Sequence, residues 1–494
     1  MKGAFIRQML LLLPLLAFLF PAVAAHVSGR GFILLLPTNL FIAGGALVVA
    51  ASFALLALIP VRRVVSATEY RGKVLVVRSA RVGVWISVAS LAFASFLVFA
   101  GRYGSRDPLE NPAPLFIWFL WWPGMTIITA LLGNVWAVLN PWTGVYELLM
   151  GSKILRRINY RPPLRYPEKL GYIPSIAVFF AFAWVELVHP YPADPEFLST
   201  LIAGYLLYNF IGLLLFGKRI WLQYCEAFSV FFEMVSWISP IAVREWDRSD
   251  NETALSHAGV GDGRRVSQIL VTLPTANLAR ERRLRLSHTI FIILALSTVS
   301  FDGFSRTFTW LSIIGVNPLD YPGRTLLMGA NSVGMLATFS AIAAVYILAC
   351  WLAKLLVFHG WRLSETMGLF VPSIVPIALG YHIAHYFPYV VANFQTVYAS
   401  FSDPFELGWN LLGVSGVPAI PSFLKDPYQV YYVYYAQVGL IVLVHVLAVY
   451  IAHVIALREV KTVRAAMLSQ IPMMFLMVGY TMFGLWLLSS PSVD

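Results

Sequence analysis

The stretch Leu379–Phe387 reads Leu-Gly-Tyr-His-Ile-Ala-His-Tyr-Phe, inside an apolar run from about Met367 to Val391. His382 and His385 stand three apart, which on an α-helix puts them on one face, about 60° apart. Ionisable side chains are costly within a membrane span and commonly mark proton, ion or substrate chemistry. Neutral imidazoles and carboxylates suit Zn, Fe, Mn or Cu, and a metal with an open position turns bound water into a nucleophile.

Other ionisable residues fall in the same half of the chain's apolar segments. At about 1.5 Å per residue across a core of roughly 30 Å, Asp302 and His382 reach the same depth and His385 lies about one turn further out. Glu186 ends its own apolar segment on that side, and His445 lies nearer the middle of another. The expectation is that His382, His385, Asp302 and His445 are the ligands of a divalent metal ion. Asp302 or Glu186 could instead be a general base. The competing reading is that the histidines only hydrogen-bond neighbouring helices. A haem would need His382 or His385 to face His445, and no second pair lies at matching depth. There is no His-Glu-x-x-His run and no Gly-x-Ser-x-Gly elbow.

The elements that carry these residues follow from composition. Of 494 residues, 59% are hydrophobic and 12% charged, with mean hydropathy +0.74, whereas soluble domains carry about 25% charged residues. Continuously apolar runs of span length predict an all-α, polytopic transmembrane helical bundle. Ten spans are expected near 39–60, 82–100, 114–139, 173–189, 198–216, 288–303, 326–357, 367–388, 434–457 and 467–489. Of 35 Lys and Arg, 27 fall in or beside one alternating set of loops and six on the other side. The first set is therefore expected in the cytoplasm, leaving both mature termini outside. The net charge of +11 is explained by those loops, so no nucleic-acid partner is expected. Cys225 and Cys350 lie in separate apolar segments and define no disulfide framework.

Residues 1–25 have the form of a signal peptide: Lys2 and Arg7, an apolar stretch, then Ala22-Val23-Ala24-Ala25. Residues 26–494 then form a single integral membrane domain. Trp221–Val243 is long enough to span, yet basic residues flank both ends, so a re-entrant or interfacial helix is expected. Glu226 and Glu233, seven apart, would share one face of it. Loop 244–287 is basic and polar, and 389–433 is a long outer loop of the kind that often carries function. No internal repeat is evident, unlike many secondary transporters.

Several stretches together carry a resemblance. They include Asn140-Pro141-Trp142, Tyr166 to Tyr172, Glu226 to Phe232, Ser300-Phe301-Asp302-Gly303-Phe304-Ser305, Gly380 to Tyr389, and Asp403-Pro404-Phe405 with Gly408-Trp409-Asn410. The chain resembles a bacterial family of polytopic membrane proteins labelled fenitrothion hydrolase. The resemblance implies an inner-membrane enzyme that cleaves the P–O–aryl bond of an organophosphorus triester. It brings no catalytic residue set with it.

The expected function is thus a membrane-embedded, metal-dependent phosphotriester hydrolase, with the lipid bilayer and an apolar small molecule as partners. Asp302, Glu186, His382, His385 and His445 carry it. The alternative is a proton- or ion-coupled transporter, or a metal- or redox-handling protein, using the same residues. In a third reading these polar groups only bind helices together. No oligomeric partner is specified.

Overall fold

The computed structural model describes residues 38–56, 58, 73–78, 80–245, 267–271, 277–279, 283–414, 427–460 and 462–491. The expected signal peptide and the mature N-terminus lie outside these residues. Among the described residues, nine helices are long and apolar enough to cross a membrane. They are α1 Thr38–Leu56, α2 Ala80–Tyr103, α3 Pro112–Leu132, α5 Pro195–Phe216, α8 Leu286–Ser305, α9 Arg324–Leu356, a span that runs from α10 Leu363–Phe370 into α11 Val375–Ser402, α12 Pro427–Glu459 and α13 Val463–Ser489. A tenth, α4 Ile173–Leu187, is apolar but shorter. The protein is a polytopic helical membrane bundle, and each expected span contains one of these helices, the one expected at 114–139 ending at Leu132.

The bundle has a clear centre. The most apolar stretches of α8 and of the α10–α11 span are 78% and 94% buried, against 11% for α2 and 28% for α5 and α9. These two central elements carry Asp302 and the His382–His385 pair. Between helices in lipid there is little hydrophobic drive, so close association depends on small residues at the contacts. Gly380 of α11 sits against Val444 of α12, and Gly484 of α13 sits against the ring of Tyr381 on α11; a Cβ at either glycine would collide with them.

The segment 221–243 is not one helix. Residues Lys218–Tyr224 form α6, the chain breaks at Cys225 and Glu226, and Ala227–Ser236 form α7. Seven and ten residues rise too little to cross a core of about 30 Å at about 1.5 Å per residue. Strand β2 Ile241–Glu245 follows and joins a three-stranded antiparallel sheet, ordered β1 Lys73–Arg78, β3 Ser267–Val271, β2. That sheet ties the segment after α7 to the loop between α1 and α2. The segment therefore enters and leaves at the same face of the bundle.

The expected acidic face of this segment does not form. Glu226 is the N-cap of α7: its carboxylate accepts from the backbone N–H of Phe228 at 3.0 Å and of Ser229, from Trp136 Nε1 at 3.3 Å, and from the Tyr205 hydroxyl. Glu233 points outward and is exposed. The seven-residue spacing assumed a continuous helix, and the cap interrupts it.

Ion pairs mark the two faces. Lys218 pairs with Glu147, and Arg283 Nη2 lies 3.1 Å from Glu459, on the face that holds the basic loops and the sheet. Arg102 and Arg106 both pair with Glu196 on the far face. The expected outer loop 389–433 is shorter than its sequence suggested, because α11 continues through Pro388 to Ser402 and α12 begins at Pro427. Neighbouring helices let an internal proline persist within a membrane helix.

Candidate functional site

Asp302 lies in the last turn of α8, at the far end of the most enclosed part of the bundle, and is 3% exposed. One turn later in the chain, Arg306 brings Nη2 to 3.5 Å from Asp302 Oδ1. The other carboxylate oxygen faces α11: His385 Nε2 stands 2.7 Å from Oδ2, and the Tyr386 hydroxyl 3.2 Å from it. His385 retains about a fifth of its side-chain surface exposed and Arg306 about a third. The carboxylate is therefore enclosed while its two partners reach outward.

Tyr386 extends the cluster to a third helix, since its hydroxyl also meets Glu186 Oε1 in the last turn of α4. A phenol carries one hydrogen and can also accept. Between two carboxyl groups it can donate to one and accept from the other when that one carries a proton. The arrangement thus has a place for a proton shared across Asp302, Tyr386 and Glu186. Arg324, at the start of α9, donates to the Glu186 carbonyl at 2.9 Å, and Arg306 Nη1 donates to the Tyr389 hydroxyl at 2.8 Å. Two carboxyl groups and two guanidinium groups from three helices therefore stand together, which limits the cost of placing them near lipid.

His382 is one turn further into the bundle and is 5% exposed. Its ring packs edge-on to Trp122 at 4.6 Å and against Tyr386 at 4.7 Å. Trp122 comes from α3, where a π-helical turn over Phe116–Trp121 precedes Pro123; such widened turns frequently accompany functional sites. His445 belongs to a separate cluster on α12: its Nδ1 lies 2.7 Å from the Ile441 carbonyl, and its ring neighbours Tyr381 and Tyr480.

Of the sequence-derived site residues, Asp302, His385 and Glu186 come together. His382 adjoins them through Tyr386, and His445 does not join. Equal depth pointed to His382 beside Asp302, but the azimuth of α11 brings His385 there instead. As metal donors, Asp302 and His385 are adjacent, but among the described residues no three His, Cys, Asp or Glu side chains are grouped as a metal site would require. The four proposed ligands do not make one coordination sphere. His453 is buried at 1% exposure and lies 3.3 Å from Gln470 Oε1.

Sequence reasoning missed Tyr386, Tyr389 and Arg306 as participants. The available signals were position alone: Tyr386 directly follows His385, and Arg306 is one helical turn from Asp302. Comparison with protein-family models, with curated proteins and with solved structures returns no match.

Proposed function

We propose that the protein is a membrane-embedded hydrolase of apolar, activated esters, with organophosphorus triesters of the fenitrothion type as the substrate class. The observation that carries the reading is the Asp302–His385 pair: an enclosed carboxylate 2.7 Å from an imidazole that is partly exposed, with a guanidinium beside the carboxylate's other oxygen. In that role Asp302 orients the His385 ring and stabilises its charged form. His385 takes a proton from water as the water oxygen attacks phosphorus. The P–O–aryl bond breaks, and the aryloxide leaves with the bonding electron pair. Arg306 offers donors to the phosphoryl oxygen, or to the thiophosphoryl sulfur in fenitrothion itself, as its charge grows. A nitrophenolate is already a stabilised leaving group, so no strong general acid is required. The proton on His385 returns to solvent on the exposed side. A general base of this kind contributes about 10²–10⁴-fold in rate.

The excess of Lys and Arg in one set of loops supports a bacterial inner-membrane location with the basic face in the cytoplasm and the Asp302 site opening to the outside. Apolar triesters partition into bilayers, which would deliver them to a site at this depth.

The test is release of nitrophenolate from fenitrothion by the purified protein in nanodiscs, followed by absorbance, with Asp302→Asn and His385→Gln alongside. Turnover that falls at least about 100-fold in both variants, as expected for loss of a general base, supports the reading. No turnover by the unaltered protein, or full turnover in both variants, overturns it.

One observation favours a second reading, a proton-coupled transporter. The Tyr386 hydroxyl links Asp302 to Glu186 and so makes a continuous set of ionisable groups across three helices, as proton relays do. Pyranine-loaded proteoliposomes that acidify only when a solute gradient is present would favour it over the hydrolase.

A further inference from the structure

A small cavity lies on the interior side of the site, between α3, α4, α7, α8 and α11. Its polar lining is Glu186, Tyr386, His382, Trp122 and Thr298; the remainder is apolar. It leaves about 20 Å³ in which the centre of a water molecule can sit, and about 10–15 Å³ suffices for one. This volume is far too small for a triester, so the cavity is not a substrate pocket.

Two atoms of its polar lining lack a regular hydrogen bond. His382 Nε2 is buried and has no hydrogen-bond partner within the protein; Trp122 Nε1, also buried, faces the Glu186 carboxyl and the Tyr386 hydroxyl without a well-aligned direct hydrogen bond to either. The two residues are 5% and 4% exposed. Buried polar atoms almost always find a partner in protein or ordered water, because leaving one without a partner is destabilising. Thr298 Oγ1 donates to the Ala295 carbonyl at 3.0 Å and keeps acceptor capacity. Two to four polar partners are what a buried water requires, and this cavity supplies an indole donor, an imidazole nitrogen, a carboxyl and two hydroxyls.

We infer that the cavity is a binding site for one or two water molecules that join His382 and Trp122 to the Glu186–Tyr386 pair. The hydrogen-bonded network of the outer site then continues inward through water and ends at His382. Beyond His382 the lining is Phe231, Met234, Val235 and Leu379, which offer no further polar side chain. The branch is a dead end and not a route across the membrane. His382 is accordingly a positioning residue: it holds water that in turn holds Glu186, and it does not touch a substrate.

The test needs no turnover, so it stands apart from the hydrolase reading. Protein with ¹⁵N-labelled tryptophan, in nanodiscs, is examined by NMR for magnetisation transfer from water to the indole N–H groups. Trp142 is the control, because its Nε1 is also buried without a partner but does not line the cavity. A water cross-peak at Trp122 and none at Trp142 is expected, with loss of the Trp122 cross-peak in Ala378→Leu, which fills the cavity. No cross-peak at Trp122, or equal cross-peaks at both, overturns the site. With ¹⁵N-labelled histidine, Glu186→Gln should shift the His382 ring signals and leave those of His453 in place. An unmoved His382 signal overturns the link to Glu186.

Discussion

His385 Nε2 stands 2.7 Å from Asp302 Oδ2, although the two residues belong to different helices and neither sequence neighbourhood announces the other. The contact joins the two most enclosed elements of the bundle at the point where they reach its far face. It leaves the imidazole partly open and the carboxylate closed. That asymmetry is what a solvent-facing base needs from the group that orients it.

The first prediction concerns Arg306. Its guanidinium lies 3.5 Å from Asp302 and donates to Tyr389. If it stabilises the charge that grows on the phosphoryl oxygen or thiophosphoryl sulfur, Arg306→Leu should lower kcat by about 10²-fold or more, comparable to removing one oxyanion donor. Arg306→Lys should recover only part of this, since an ammonium lacks the planar fork. Steady-state release of nitrophenolate measures both. A kcat unchanged in Arg306→Leu would remove the residue from the mechanism.

The second concerns Tyr386. Phenylalanine keeps the ring against His382 and His385 and removes only the hydroxyl between Asp302 and Glu186. For the hydrolase, the loss should be about tenfold or less in kcat, the equivalent of roughly one hydrogen bond. For a proton-coupled transporter the same change should abolish coupled flux. Running both assays on one preparation separates the two readings.

The third is structural. A Cβ at Gly484 would strike the Tyr381 ring, whereas one at Gly44 meets nothing within 4 Å. Gly484→Ala should destabilise the α11–α13 contact by about 1–3 kcal/mol, the usual range for overpacking. Gly44→Ala should be neutral or slightly stabilising. Thermal unfolding in a fixed detergent compares them, and equal midpoints would contradict the packing described.

The fourth concerns sidedness. Cys225 and Cys350 are both buried, so added cysteines can be probed against a low background. Lys169 and Ser312 are exposed on opposite faces of the bundle. With the basic face in the cytoplasm, an impermeant thiol reagent added to intact spheroplasts should label Ser312→Cys and spare Lys169→Cys. The reverse pattern would invert the orientation.

Much of the architecture was legible in the sequence because the bilayer imposes it. A span must be apolar for some twenty residues and must satisfy its own backbone hydrogen bonds, so composition alone locates helices such as α2 and α9. The basic flanks of Trp221 likewise required both ends of 221–243 at one face, and the sheet joining β1, β3 and β2 agrees. The helix break at Glu226 was not legible, because a glutamate reads alike as a face residue and as a cap until its backbone direction is known.

The site divides along the same line. The sequence by itself determined which ionisable residues lie within apolar spans and, from the rise per residue, their order in depth: that placed Asp302, Glu186, His382 and His385 in one half of the bundle. Depth is a one-dimensional quantity that the helix repeat supplies. Azimuth and lateral neighbours depend on how each helix is rotated and which helix it packs against, and those are set by contacts far apart in the chain, such as Gly380 on Val444 and Gly484 on Tyr381. Only the tertiary structure therefore decided that His385 and not His382 meets Asp302, that Tyr386 and Arg306 complete the cluster, and that His445 stands apart from it.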